Sequence, residues 1–86
     1  MKNINLINQT IEAYFEKNKD VKIIRAKDLM PEFITAGIFS QDHRNGLPIR
    51  EILRELDENN KLDLIPYVVA ERKTINTNWY FQRIDK

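Results

Sequence analysis

The sequence predicts an α+β fold in which three helices pack against a small antiparallel sheet. Apolar residues recur at helical spacing in three segments of the first two thirds of the chain, and β-branched and aromatic residues dominate the last third. The predicted order is helix, short strand, helix, turn, helix, strand, loop, strand. A length of 86 residues supports one modest hydrophobic core, so we expect a single domain over residues 1–86.

The composition favours a globular domain in the cytoplasm. Hydrophobic residues make up 42% of the chain and charged residues 31%, which is too apolar for a disordered tail. The first ten residues lack the apolar block of a secretory signal, and no stretch approaches the roughly 18 consecutive apolar residues of a membrane span. We therefore expect no membrane partner. Without cysteine, neither a disulfide nor a thiolate metal site is available to the fold.

The first helix is predicted from Ile4, because apolar residues follow at helical spacing as far as Phe15. A polar cluster at residues 18–20 ends this pattern, and a β-branched run over residues 21–25 predicts a brief strand. Three cations surround that strand and either extend a basic surface or serve solubility: Lys22, Arg25 and Lys27.

The second helix is predicted over residues 28–37. Asp28 suits its amino end as a cap or a charge, and Pro31 falls in the first turn, where no internal N–H bond is lost. Gly37 suits the left-handed position that commonly closes a helix. The apolar residues of this helix are expected on one face: Leu29, Met30, Phe33 and Ile34.

A polar turn over residues 40–46 separates the second helix from the third. It ends in Asn45 and Gly46, the pair that best tolerates positive φ. Pro48 then opens the third helix, predicted over residues 48–59. Its apolar stripe follows the i, i+3, i+4, i+7 pattern: Ile49, Ile52, Leu53 and Leu56.

The last third of the chain predicts a hairpin. Its first strand is expected over residues 62–69, with Pro66 near the start and therefore on an edge, and its second strand around residues 79–81. Residues 71–77 form the polar loop between them. Both alternating sets of positions carry apolar residues, so the pattern leaves open which face meets the core. The tail, residues 82–86, is expected to fray or to mark where a longer chain was cut.

This order of elements resembles the winged-helix group of helix-turn-helix proteins across almost the whole chain. The resemblance implies that residues 28–37 form the positioning helix, residues 48–59 the recognition helix and residues 71–77 the wing. In that group the recognition helix and the wing usually meet nucleic acid. The leading hypothesis is thus a module that binds double-stranded DNA, either a small transcriptional regulator or the DNA-contacting part of a larger assembly.

The predicted DNA contacts come from the turn, the third helix and the wing. Cations, amides and hydroxyl groups in the wing suit phosphates and minor-groove edges, and the turn precedes the helix where a side chain can reach a phosphate. A solvated hairpin tip and a solvated turn are the alternative interpretation of the same residues. The predicted contacts are Arg44, Asn45, Arg50, Arg54, Arg72, Lys73, Asn76 and Asn78.

The third helix also carries evidence against DNA binding, because carboxylates that face phosphates lower affinity. Its acidic residues lie opposite the apolar stripe: Glu51, Glu55, Asp57 and Glu58. The three glutamates share one strip, and Arg50 and Arg54 share the neighbouring one, so only the arginine edge is expected to face DNA. The acidic strip supports a second hypothesis, a protein-interaction domain of the same fold without DNA binding.

Nothing in the sequence indicates an enzyme, a cofactor or a metal site. Gly37 and Gly46 cannot form a phosphate-cradling loop, and no nucleophile and base stand at a recognisable spacing. His43 is the only histidine, so a catalytic or metal role for it is not expected.

The aromatic run at residues 79–81 could stack nucleobases, although core packing is the expected role in a chain this short. The apolar face of the first helix could similarly form a homodimer seam, but its expected role is to cover the core.

Overall fold

The computed structural model describes residues 3–84. Within these residues, three α-helices and a three-stranded antiparallel sheet form an α+β fold, as predicted at this level of detail. Short 3-10 turns at Ala26–Leu29 and Leu62–Leu64 precede the second helix and the second strand. The elements are α1 (Ile4–Lys17), β1 (Ile23–Arg25), α2 (Met30–Thr35), α3 (Leu47–Glu58), β2 (Val68–Arg72) and β3 (Thr77–Gln82).

The helices and the sheet enclose one hydrophobic core. The predicted stripes are confirmed, since α1 buries Ile7, Ile11 and Phe15, and α3 buries Ile49, Leu53 and Leu56. Phe33 of α2 lies at the centre, with its ring edge-on to those of Phe39 and Phe81, at a centroid distance of 6.0 Å in both cases. Such edge-to-face contacts add to the stabilisation that burial itself supplies.

The second helix is shorter than predicted. Residues 26–29 form a 3-10 turn instead of α-helix, because Pro31 has no N–H to offer the carbonyl of Lys27, which accepts from the amide of Met30 instead. Asp28 makes no cap for the helix and pairs with Arg25 at 2.9 Å. The prediction for Gly37 is confirmed, since its φ is +80°.

The turn before α3 is left-handed over three consecutive residues. Arg44, Asn45 and Gly46 have φ values of 52°, 55° and 82°, which confirms the prediction for the Asn-Gly pair and extends it by one residue. The buried amide of Gly46 donates to Oδ1 of Asp42 at 2.9 Å. A Cβ atom on Gly46 would lie 2.5 Å from the Cβ of Lys27, so the turn packs directly against the 3-10 turn before α2.

The hairpin differs from the prediction in its first strand and in its loop. Residues 62–64 form a 3-10 turn, and β2 begins only at Val68, after Pro66, which cannot donate to a strand ladder. The strand continues to Arg72, which faces Thr77, so the loop shortens from residues 71–77 to residues 73–76.

The central strand of the sheet is β3, in the order β1, β3, β2. Trp79 and Phe81 are buried, whereas Asn78 and Tyr80 alternate with them on the outer face. The structure thus decides which face meets the core. It also confirms core packing for two of the three aromatic residues in this run.

The prediction that the carboxyl-terminal tail frays from residue 82 is wrong for its first residues. Gln82 pairs with Ile23, and the amide of Arg83 donates to the carbonyl of Lys22 at 2.8 Å. The guanidinium of Arg83 donates to the carbonyls of Phe15 and Asn18, both at 2.8 Å. These bonds hold the end of β3 against the end of α1; residues 85–86 lie outside the described part of the chain.

Candidate nucleic-acid interface

A groove of about 420 Å³ runs between the hairpin and the turn before α3. We call it the basic groove, because four cations and no carboxylate of the described residues 3–84 belong to its lining. The lining residues are Arg25, Lys27, Arg44, Asn45, Arg50, Asn76, Thr77, Asn78, Trp79 and Tyr80.

The four cations reach the groove from three segments of the chain, since Arg25 and Lys27 are only two residues apart. Arg25 ends β1, Lys27 belongs to the 3-10 turn, Arg44 to the left-handed turn and Arg50 to the first half of α3. They converge because the backbone of Gly46 packs against Lys27, which brings the left-handed turn beside the strand. Convergence of like charges is unfavourable in an isolated domain and favourable when a polyanion is bound.

Arg50 is held in place without losing its charge. Its Nε donates to the carbonyl oxygen of Asn45 at 3.2 Å, and its Nη2 donates to the carbonyl oxygen of Arg44. Carbonyl groups position a guanidinium but do not neutralise it. The guanidinium of Arg50 therefore keeps its full positive charge, and its remaining N–H donors are available to a ligand.

Arg25 is paired, but only at the surface. Its Nε lies 2.9 Å from Oδ2 of Asp28, and the two side chains are 59% and 43% exposed. An ion pair this exposed contributes little to stability, so a phosphate can replace the carboxylate at small cost.

Two outward side chains of β3 form the opposite wall of the groove. Nδ2 of Asn78 and the hydroxyl of Tyr80 donate to Oε1 of Glu71, at 3.1 Å and 3.3 Å. The hydrogen bond from Asn78, the charge of Lys73 and the hydrogen bond from Tyr80 lower the pKa of Glu71. This carboxylate stays ionised at the groove edge, where it orients the amide of Asn78, and Lys73 offsets its charge.

The structure divides the eight predicted DNA contacts into two sets. Five line the basic groove: Arg44, Asn45, Arg50, Asn76 and Asn78. The other three do not: Arg54 lines a separate depression beside Glu51, Arg72 pairs with Asp57, and Lys73 is an exposed residue of the hairpin loop. The arginine edge of α3 is therefore not one surface, since Arg50 and Arg54 line different depressions.

Arg72 is engaged in the fold. Its Nη1 and Nη2 donate to the two carboxylate oxygens of Asp57, at 3.0 Å and 2.8 Å. The hydrogen bond and charge of Arg72 lower the pKa of Asp57, and those of Asp57 raise the pKa of Arg72. This bidentate pair ties the end of β2 to the last turn of α3.

The sequence pattern does not predict Arg25 and Lys27 as DNA contacts, although it places a cluster of cations around the first strand. The sequence predicts Tyr80, like its aromatic neighbours, as a core residue, whereas it is half-buried on the outer face of β3. The signal that distinguishes it is strand alternation, because Trp79 and Phe81 take the inward positions on either side of it.

In comparisons with known proteins, the chain matches no family model, no curated protein and no solved structure. None of the helices within residues 3–84 is long and apolar enough to cross a membrane. The geometry and charge of the grooves are therefore the observations that bear on function.

Proposed function

We propose that this protein is a winged-helix domain that binds double-stranded DNA through the basic groove. The observation that carries the proposal is the groove itself: within residues 3–84, four cations from three segments of the chain line one depression together with three asparagines and no carboxylate. Phosphate contacts from arginine and lysine supply a large share of the affinity of DNA-binding proteins, and amide side chains add contacts to sugar, phosphate and base edges.

The order of helices and strands supports the winged-helix part of the proposal. A three-residue strand pairs with the second strand of a hairpin, and two helices separated by a left-handed turn lie between them in the sequence. In this arrangement α3 is the recognition helix and residues 73–76 are the tip of the wing.

The proposed contacts use the side of α3 that faces the hairpin. Glu51, Glu55 and Glu58 occupy another side of this helix, and carboxylates lower the affinity of any surface that meets phosphates. DNA is thus expected to cross the turn, the start of α3 and the base of the wing. Arg72 is expected to support the wing through Asp57 and to make no contact with DNA.

The test is fluorescence anisotropy with a labelled, mixed-sequence duplex at several salt concentrations. A triple variant of the groove, Arg25→Gln, Lys27→Gln and Arg44→Gln, removes three charges. A matched control, Lys17→Gln, Lys19→Gln and Lys61→Gln, removes three exposed charges outside the groove lining. Both variants have the same net charge.

We expect the wild-type protein to bind the duplex and to lose affinity as salt rises. The groove variant should bind at least about tenfold more weakly, since each lost phosphate contact costs affinity, and the control should stay within about threefold of wild type. Equal losses in the two variants would show a non-specific charge effect, and absence of binding by the wild type at low salt would refute the proposal.

A further inference from the structure

A second groove, of about 800 Å³, lies between α3 and the segment that follows α2. We call it the acidic groove. No residue in the described part of the chain belongs to the linings of both grooves, although α3 contributes to each. The lining of the acidic groove is Ile38, Phe39, Ser40, Gln41, His43, Pro48, Glu51, Ile52, Arg54, Glu55 and Glu58.

Part of this groove is apolar and connected to the core. Phe39, Pro48 and Ile52 are half-buried, and Ile38 is 8% exposed. The ring of Phe39 lies edge-on to the buried ring of Phe33, which holds it in place. This apolar surface is thus formed before any partner arrives, so little side-chain ordering opposes binding.

Carboxylates border the apolar surface along α3. Glu51, Glu55 and Glu58 are exposed and follow the i, i+4, i+7 spacing, so they extend for about 10 Å along the helix. Their carboxylates make no ion pair or hydrogen bond with any residue of the described range 3–84. Among residues 3–84, the lining carries these three glutamates and one arginine, Arg54, so negative charge prevails there.

We propose that the acidic groove binds an amphipathic helix of a partner protein, one that has apolar residues on one face and lysine or arginine beside them. Charge complementarity selects this occupant: the apolar side chains would cover Phe39 and Ile52, and the cations would pair with the three glutamates. Recognition of a helix by its apolar face and flanking cations is a common mode of peptide binding. The row of glutamates matches about two turns of such a helix.

This inference does not depend on the proposed DNA binding, because the two linings share no residue. A domain that held DNA on one side of α3 and a basic helix on the other would connect the two ligands. The glutamates on this side of α3, which lower affinity for DNA, would then bind the cations of the partner helix.

The experiment uses the full chain and three synthetic peptides of four helical turns, each labelled with fluorescein. The first carries leucines at i, i+3, i+4 and i+7 with flanking lysines. The second replaces the leucines with serines, and the third replaces the lysines with glutamates. Binding is measured by anisotropy, and the binding surface is mapped by amide chemical shifts in NMR spectra.

Two double variants test the charges. Glu51→Gln with Glu55→Gln neutralises the groove, and Glu16→Gln with Asp20→Asn makes the same change in net charge at exposed residues outside its lining. We expect the first peptide to bind and to shift residues 38–41 and 48–58. The Glu51→Gln, Glu55→Gln variant should bind this peptide about tenfold more weakly, because it loses close charge pairs across the interface. The control variant should bind it within about twofold of wild type.

Four results would overturn the proposal: no binding of the first peptide at millimolar concentration, equal binding of the serine or the glutamate peptide, chemical-shift changes elsewhere on the protein, or equal weakening in the two variants. A fifth contrary result would come from a sedimentation measurement of the oligomeric state. A homodimer that is lost in the Glu51→Gln, Glu55→Gln variant would identify a second copy of this chain as the occupant in place of a basic helix.

Discussion

At the residue scale, Gly46 controls the geometry of the basic groove. Its φ of +82° is strained for any residue with a side chain, and a Cβ atom would lie 2.5 Å from the Cβ and 2.7 Å from the Cα of Lys27. A side chain here would force apart the two segments that carry Lys27 and Arg44. Gly37 has a similar φ of +80°, but a Cβ atom on it would meet nothing within 4 Å, so it offers a matched comparison.

We predict that Gly46→Ala costs more stability than Gly37→Ala. Each variant carries the strain of a left-handed alanine, about 1–2 kcal/mol, and Gly46→Ala adds the clash with Lys27, a further cost of about 1–3 kcal/mol. Urea denaturation of both variants measures the difference. Equal losses of stability would mean that the contact between Gly46 and Lys27 is not tight in solution.

The Asp57–Arg72 pair predicts a pH-dependent effect, again at the scale of single residues. The pKa of Asp57 is lowered below its ordinary value of 3.8, so the pair stabilises the fold above that pH and is lost as the pH falls through the lowered pKa. Asp57→Asn should therefore lower the Tm at neutral pH, and its deficit relative to wild type should shrink below pH 3.8.

The control for this prediction is Arg72→Gln, which removes the same pair from the other side. Its Tm deficit should follow the same pH dependence, and the double variant should lose less than the sum of the two single losses. Additive losses would show that the two side chains do not interact in solution.

At the element scale, Arg83 joins the central strand to the first helix. Its guanidinium donates to the carbonyls of Phe15, Val21 and Asn18, and its charge lies 5.2 Å from the centroid of the Phe15 ring. The first two of these bonds are partly buried. One side chain thus satisfies three carbonyls at the end of α1 and in the loop that leads to β1.

We predict that Arg83→Gln lowers the free energy of unfolding by about 1–3 kcal/mol, because it leaves partly buried carbonyls without donors. Arg83→Lys should restore only part of the loss, since a lysine cannot reproduce the planar fork that reaches several carbonyls at once. Urea denaturation measures both variants. Full recovery with lysine would assign the effect to charge alone.

Also at the element scale, α3 contributes one side to the basic groove and another side to the acidic groove. Arg50 and Asp57 are seven residues apart and therefore share one side, which faces the left-handed turn and the hairpin. The three glutamates lie on the side that borders the acidic groove. One amphipathic helix thus contributes an apolar face to the core, a cation to one groove and carboxylates to the other.

At the scale of the whole molecule, the net charge is only +1, yet the surface has two grooves of opposite charge. This separation predicts the salt dependence of DNA binding. If the four groove cations contact phosphates, log K should fall by up to about 3.6 per decade of salt, at about 0.9 for each contact. Anisotropy at several salt concentrations measures this slope.

Each single replacement of a groove cation by glutamine should flatten the slope by about 0.9, whereas Arg54→Gln should leave it unchanged. Arg54 is the informative control because it lies on α3 only four residues after Arg50, yet lines the acidic groove. A change in slope for Arg54→Gln would place DNA on the outer side of α3 and would contradict the proposed orientation.

Much of the candidate site was predictable from local chemistry. The Asn45-Gly46 pair predicts positive φ, and proximity along the chain predicts that Arg44, Asn45 and Arg50 lie near one another. What the local pattern could not show is that Lys27 meets Gly46, nineteen positions later, or that Arg72 meets Asp57, fifteen positions earlier. Such contacts depend on how elements pack, and no short-range periodicity encodes them.

The sequence by itself determined the α+β class, the three helices and the apolar stripes of α1 and α3, because helical spacing of apolar residues is a local property that burial of one face requires. Tertiary structure alone decided the inward face of β3, the short hairpin loop and the separation of Arg50 from Arg54. The physical reason is that strand register and groove lining follow from contacts between distant segments, which compete for the same core and are settled only when all of them pack together.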